Sequence, residues 1–313
     1  MKKLIATLLL MALVFVGSAQ SKVKLGAAIR GGHQVGSPNH GLTKAAERAR
    51  VEQMLGRKLA VERIFVPGGE MFPSSYVLDS ARGGRIPLLS FAAPPGMTWR
   101  RVANGAWDSE FRERFRKLVA NYPLMSRAIL IYESEPDIVV QQHKGRPRAY
   151  RAAYRHVHAL AKKVGVTNRW ATALSAYTWT RESGRHPADW YLGFVTFVGA
   201  DIYGAEVSTC DASHWSAFRT RTARPYRWIV AKGKKMIIPE VGQRENVNDP
   251  FAKQRWLVGM RVMVKTEFPR IAIITWSHSD FGGPCSYPRT WWIDTSSRAL
   301  SAFRAMALDP YFN

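Results

Sequence analysis

Acidic residues are scarce in this chain. Asp and Glu number 23 against 46 Lys and Arg, a formal net charge of +23 over 313 residues, so every carboxylate needs a reason and the whole molecule favours anionic surroundings. Cysteine is scarcer still. Cys210 and Cys285 are too few for a disulfide-built scaffold and, with no His spacing around them, too few for a zinc site. Beyond residue 19 no run is apolar for long enough to span a bilayer. Gly-x-Ser-x-Gly, His-Glu-x-x-His and a Walker loop are absent, and Arg30-Gly-Gly-His33 lacks the spacing of a dinucleotide fingerprint. Serine-hydrolase, zinc-protease, P-loop and Rossmann readings fall with them. No nucleic-acid-binding module accompanies the charge. No linker, repeat or low-complexity tract divides the chain, so residues 20–313 read as one domain.

The exception to the missing apolar runs is the N-terminus. Lys2 and Lys3 precede Leu4–Val16, and Gly17-Ser-Ala19 supplies small residues for cleavage. This is the pattern of a secretory signal peptide, residues 1–19, which predicts a secreted or periplasmic monomer. In that compartment Cys210 and Cys285 are expected to pair. The arginines are dispersed, as in Arg112, Arg114 and Arg116 or Arg146, Arg148, Arg151 and Arg155. That dispersal fits a solvated surface, with an anionic envelope or acidic polysaccharide as the alternative partner. Export argues against a nucleic-acid partner.

Eight short runs rich in Val, Ile, Leu and Phe recur, each bounded by Gly, Pro or polar residues: Lys24–Ile29, Lys58–Val66, Ile86–Ala93, Ala128–Pro136, Trp170–Trp179, Phe197–Gly204, Met236–Gly242 and Ile271–His278. Helical periodicity marks Leu42–Leu55, Ser109–Ala120, Ala149–Val164, Phe251–Phe268 and Ser297–Leu308. Strands alternating with helices over this length predict a (β/α)8 TIM barrel, whose chemistry sits at the C-terminal ends of the strands.

Two of the runs end in acids. Ile129-Leu-Ile-Tyr-Glu-Ser-Glu-Pro-Asp137 closes the fourth and Met236-Ile-Ile-Pro-Glu-Val-Gly242 the seventh. A carboxylate inside an apolar strand is rarely buried unless paired or functional, and two carboxylates from two strands suffice for glycoside hydrolysis. Glu240 is the candidate of the seventh strand; Glu135 is that of the fourth, with Glu133 its rival. Strand alternation would turn Glu133 and Glu135 to the same side. Tyr203 at the end of the sixth run could hold Glu240, with Asp201 facing the same way. Trp276 at the end of the eighth could floor a sugar subsite, with His278 nearby. Further aromatics, Trp99, Trp107, Tyr177, Trp179, Trp215, Trp291 and Trp292, fall near predicted mouth loops and suggest a binding groove.

Ile131-Tyr-Glu-Ser-Glu-Pro136, Gly199-Ala-Asp-Ile-Tyr-Gly204, Ile237-Ile-Pro-Glu-Val-Gly242 and Ile273-Ile-Thr-Trp-Ser-His278 resemble, in order and spacing, the clan A glycosidases and most of all the mannanase-like glycoside hydrolase family 26. The resemblance implies that Glu135 is the acid/base and Glu240 the nucleophile of a retaining endo-β-mannanase-like hydrolase acting on a mannan or glucan. No metal or cofactor is needed for that mechanism. Ser134 departs from the pattern, standing where the family has a histidine, which implies altered substrate placement. The rival readings are a carbohydrate-binding barrel without turnover and a basic, envelope-associated protein that binds anionic polymers.

Overall fold

A computed structural model describes residues 23–30, 40–139, 144–205, 215–246, 248–279 and 290–312. The expected signal peptide, Cys210 and Cys285 lie outside the described residues, and with them the expected bridge. Eight parallel strands close into a barrel in chain order: β1 Lys24–Ile29, β2 Val61–Val66, β3 Ile86–Phe91, β4 Ile129–Tyr132, β5 Arg169–Ser175, β6 Phe197–Tyr203, β7 Lys235–Gly242 and β8 Ile271–His278. Pairing of β1 with β8 completes the ring. The TIM-barrel expectation is borne out.

Around the barrel run α1 Lys44–Leu55, α2 Ser75–Arg82, α3 Trp99–Ala103, α4 Asp108–Ala120, α5 Tyr122–Met125, α6 Pro136–Val139, α7 Pro147–Val164, α8 Pro187–Trp190, α9 Phe218–Ala231, α10 Ala252–Thr266 and α11 Ser297–Ala307. Local chemistry sets their ends. Thr43 caps α1 by accepting from the Ala46 N–H, and Gly56 closes that helix at φ 71°, a left-handed turn that glycine adopts at little cost. Pro147 opens α7 at a position whose N–H has no helical partner. The β5–β6 connection carries only the four-residue α8 and a 3₁₀ turn at Ala176–Trp179.

Period-two alternation divides the core. Val61, Leu88, Ile131, Ala173, Ile237 and Ile273 fill the barrel. Their neighbours along each strand point outward against the helices, where Leu89, Leu130, Ile238 and Ile274 join one continuous layer. On β2 the same rule sends Glu62 outward, to an ion pair with Arg48 at 3.1 Å, and Arg63 inward.

Two strands break the rule, β8 near its start at Ala272-Ile273 and β7 at its mouth end. Between Gly199 and Ile202 β6 advances three residues while its partner β7 advances four, from Ile237 to Val241. Against β8 the excess recurs: Ile238 to Val241 on β7 faces Ile274 to Trp276. So β7 carries one extra residue, a β-bulge at Pro239-Glu240, and both of these face the barrel interior while Ile238 and Val241 keep their outward places. Pro239 suits a bulge because it has no N–H to give to a ladder. The Thr275 hydroxyl donates to the Pro239 carbonyl, and at 3.4 Å to that of Ile238. Gly199 makes room for the proline ring: a Cβ there would lie 2.7 Å from Pro239 Cγ and 2.4 Å from the Thr172 carbonyl oxygen.

Candidate active site

The bulge aims Glu240 into the C-terminal mouth. Tyr203 Oη donates to Glu240 Oε2 at 2.7 Å, and Arg63 Nη2 stands 3.8 Å from Oε1. Gly242 lets the Tyr203 ring close in, since a Cβ there would meet Tyr203 at 3.0 Å and Trp291 at 2.8 Å. The indole of Trp291 packs edge-on to Tyr203 with ring centroids 4.9 Å apart.

Glu135 arrives differently. β4 stops at Tyr132, and the chain then takes left-handed backbone at Glu133, φ 55°, and Glu135, φ 48°. Such conformations cost a non-glycine residue about 1 kcal/mol or more and concentrate at functional sites. Two hydrogen bonds hold them: Glu133 N–H donates to the Phe91 carbonyl on β3, and Glu135 N–H to the Ala173 carbonyl on β5, both at 2.9 Å. The expected run to Pro136 is therefore too long by four residues, and with the pleat gone the two acids part. Glu133 takes Lys144 Nζ at 3.0 and 3.2 Å. Glu133 is a buried ion-pair partner, and Glu135 is left facing Glu240.

Burial, reinforced by the Glu240 and Asp137 charges and only partly relieved by Arg63, pushes the Glu135 carboxyl up to about 8. Asp201, fully buried on β6, is raised well above the carboxylate range, chiefly by burial and then by the Glu240 and Glu135 charges. Neither of its oxygens has a hydrogen-bond partner among the described residues. Asp137 sits behind this group. Burial raises it to about 6 against the donors Thr178 and Ser175, whose N–H lies 3.0 Å from Oδ2. The mouth thus sets Glu240, held by Tyr203 and near Arg63, beside Glu135 and Asp201, whose carboxyls burial pushes up.

Ser134 is engaged: its Oγ accepts from Arg63 Nη2 at 2.9 Å. Sequence reasoning passed over Arg63, although an arginine between Val61 and Val66 in an apolar strand is a signal of the same kind as Glu240. It is fully buried, and its desolvation is countered by the Glu240, Asp201 and Glu135 charges.

Three expected substrate contacts are placed elsewhere. Trp276 points away from the mouth and is fully buried; it packs edge-on against Phe303 of α11 at 5.4 Å and donates Nε1–H to the Trp291 carbonyl at 2.6 Å. Alternation explains this, because Ile273 and Thr275 take the inward positions of β8. His278 likewise faces outward, with Nε2 2.6 Å from Glu47 Oε1 on α1 and Nδ1 accepting from Ile293 N–H at 3.1 Å. Trp179 is buried against Trp228 of α9, with ring centroids 6.1 Å apart. Of the other aromatics, Trp99, Trp291 and Trp292 are buried as well, Trp107 and Trp215 are half-buried, and Tyr177, 44 % exposed, offers the most open ring. The expected aromatic groove shrinks to Tyr177 and to Trp215, which lines a separate hollow beside α10. Among the described residues no cluster of His, Cys, Asp or Glu has the makings of a metal site, and no helix is long and apolar enough to cross a membrane.

Fold and site together define a closed (β/α)8 barrel with paired glutamates at its C-terminal mouth. No family model and no curated protein matches the sequence. Solved structures match in fold. The endo-β-1,4-mannanase of Cellulomonas fimi superposes with a TM-score of 0.61 at 18% identity, over 93% of this chain and 72% of that one. The exo-β-1,4-mannosidase of Opitutaceae bacterium strain TAV5 gives 0.61 at 12% identity, over 91% and 59%. The catalytic domain of the family 26 endo-β-1,4-mannanase of Bacillus sp. JAMB-750 gives 0.57 at 16% identity, over 93% and 87%. The likeness is one of fold, and it includes the family that the four sequence blocks resemble.

Proposed function

We propose that the protein is a retaining glycoside hydrolase that cleaves a β-linked polysaccharide of the mannan or glucan type, exported by its N-terminal signal. The observation that carries this is the division of labour between Glu135 and Glu240, which project from β4 and β7 into one mouth with opposite surroundings. Glu135, enclosed and protonated up to about pH 8, has the state a general acid needs to protonate the glycosidic oxygen. Glu240, held by Tyr203 and near Arg63, is placed to attack the anomeric carbon. The C–O bond to the leaving sugar breaks as the Glu240–carbon bond forms, and the Glu135 proton goes to the departing oxygen. Glu135, now a carboxylate, then takes a proton from water, which displaces Glu240 and gives product of retained configuration. Asp201 and Ser134 position this pair, Asp201 as a buried neighbour whose carboxyl burial pushes up and Ser134 through Arg63. The fold likeness to β-1,4-mannan-active enzymes agrees with the substrate class.

The test is hydrolysis of β-mannan, β-glucan and xylan by wild type and Glu240→Gln, with the anomer released first read by NMR. Release of the β-anomer by wild type, with a loss of about a thousandfold or more in the variant, is expected from removing the nucleophile of a double displacement. No hydrolysis by wild type, with retained sugar binding, would instead establish a binding barrel.

A further inference from the structure

Exposed acids on the outer helices stand in ion pairs, as Glu113 with Lys117 and Glu267 with Arg219, whereas several arginines at the C-terminal end of the barrel have none among the described residues. On one side a hollow of about 740 Å³ lies between α3 and the start of α7, lined by Arg100, Arg146 and Arg148. All three are exposed and without an ion pair among the described residues; Lys144, at the inner edge, is already committed to Glu133. In the next sector of the barrel two hollows of about 390 and 420 Å³ adjoin where the β5–β6 connection meets α9, sharing Trp179, Thr180, Arg181 and Arg224. Arg221 and Arg185 complete the lining, and none of these four arginines has an ion pair among the described residues. The Arg221 Nε is buried with no hydrogen-bond partner. A single carboxylate, Glu182, faces these four guanidiniums in the two linings. Tyr177, the open ring at the mouth, has the Arg185 guanidinium 5.6 Å from its centroid.

The cationic hollows are formed by loops and helix starts that follow the consecutive strands β3 to β6, at the end of the barrel where Glu135 and Glu240 sit, so they succeed one another around one flank of the mouth. A neutral polysaccharide makes no use of such a border. A polymer with a carboxylate on successive sugars would meet guanidinium forks along that flank, in the geometry that arginine offers a carboxylate, and Tyr177 would stack on a ring face.

We propose that the substrate is an acidic β-linked polysaccharide, one whose backbone sugars carry carboxylates, and that Arg146 and Arg148 in one hollow and Arg181 and Arg224 in the next read its charge. This rests on the glycosidase reading above and names its substrate class.

Glu240→Gln protein serves as the binding probe, titrated with β-mannan oligosaccharides, neutral or oxidised to the carboxylate at C6. At about 50 mM salt the oxidised chain should bind at least tenfold more tightly, about 1.4 kcal/mol, and the difference should shrink as salt screens the contacts. The variant set Arg146→Gln, Arg148→Gln, Arg181→Gln and Arg224→Gln should erase that preference and leave neutral binding and the melting temperature in place. As control, Arg82→Gln, Arg127→Gln and Arg304→Gln remove exposed charge from the opposite end, at the last turns of α2 and α11 and just before β4. Equal affinity for neutral and oxidised chains, or equal loss in the control set, would overturn the proposal, as would dextran sulfate competing as well as the carboxylated chain. Tight, arginine-dependent binding of a chain that wild type never cleaves would sink the glycosidase reading alone. Cleavage of neutral chains with no charge preference would sink this one alone.

Discussion

Tyr203 donates to Glu240 at 2.7 Å, and this is the contact whose loss should be felt most selectively. A hydrogen bond to a charged group is worth about 1.5–3 kcal/mol, so Tyr203→Phe should lower kcat/KM by roughly ten- to hundredfold with the fold intact. Steady-state kinetics beside a melting curve will check both halves. Glu135 sets the alkaline limit. Its carboxyl, raised to about 8 by burial and the Glu240 charge, must hold a proton to act as acid, so kcat/KM should fall through one titration near pH 8. A profile flat to pH 10 would remove Glu135 from that role. Ser134 has a duty that its neutral hydroxyl conceals, as acceptor for Arg63 at 2.9 Å. Ser134→Ala would leave that buried donor bare, at a cost of about 1–3 kcal/mol of stability measurable by denaturant titration.

Among the elements, β6 and β7 are the pair on which the site depends. Gly199 faces Pro239 so closely that an added Cβ would fall 2.7 Å from the ring. Gly199→Ala should therefore destabilise the barrel by about 1–3 kcal/mol, the usual cost of overpacking, and should also depress activity by shifting the bulge that carries Glu240. Loss of stability with unchanged kcat would show that β7 absorbs the strain elsewhere. This bulge was not legible beforehand. The strands were, because each is an apolar run closed by polar or Gly/Pro residues, and five outer helices were read to within three residues at each end. The six missed helices fail the same rule: α3, α5, α6 and α8 have five residues or fewer, α2 has eight, and α9 carries Pro225 inside it and four arginines. Trp276 and His278 were misassigned for a physical reason. Nearness to a strand's end fixes height along the barrel axis, whereas facing depends on counting in twos from a residue whose side is known. Arg63 and Glu62 are adjacent charges in one strand, and only the inside-outside assignment separates the site residue from the structural one.

For the molecule as a whole, the buried carboxyls govern stability against pH. Glu135, raised to about 8, Asp137, raised to about 6, and Asp201, raised by burial, keep protons in the folded state that the unfolded chain has already released. Between the unfolded values near 4 and those folded values unfolding therefore releases protons, so stability falls as pH rises from about 4 to 8. Below that window the sign reverses. Glu47 is lowered by Arg50 and His278, overcoming its burial, and Asp294 by Arg50 and His278 in the same way, so their contributions are lost in acid. A thermal-stability maximum near pH 4 is expected, and Glu135→Gln should raise the melting temperature more at pH 8 than at pH 5. A maximum at or above pH 8 would contradict it.

The extra residue in β7 has a further implication, for how such a protein changes over generations. Ile238 and Val241 are anchored outward among the helices, and a regular strand needs just one inward residue between them; β7 has Pro239 and Glu240. The residue in surplus can be the acid itself. Excision of the single codon for Glu240 would leave an unbroken strand, with Pro239 in the inward slot against Gly199 and the hydrophobic exterior unaltered: an intact barrel without the proposed nucleophile. Chemistry and architecture are thus heritable apart, one triplet removed from each other. A lineage of such barrels can silence or regain its reaction in one step without refolding anything.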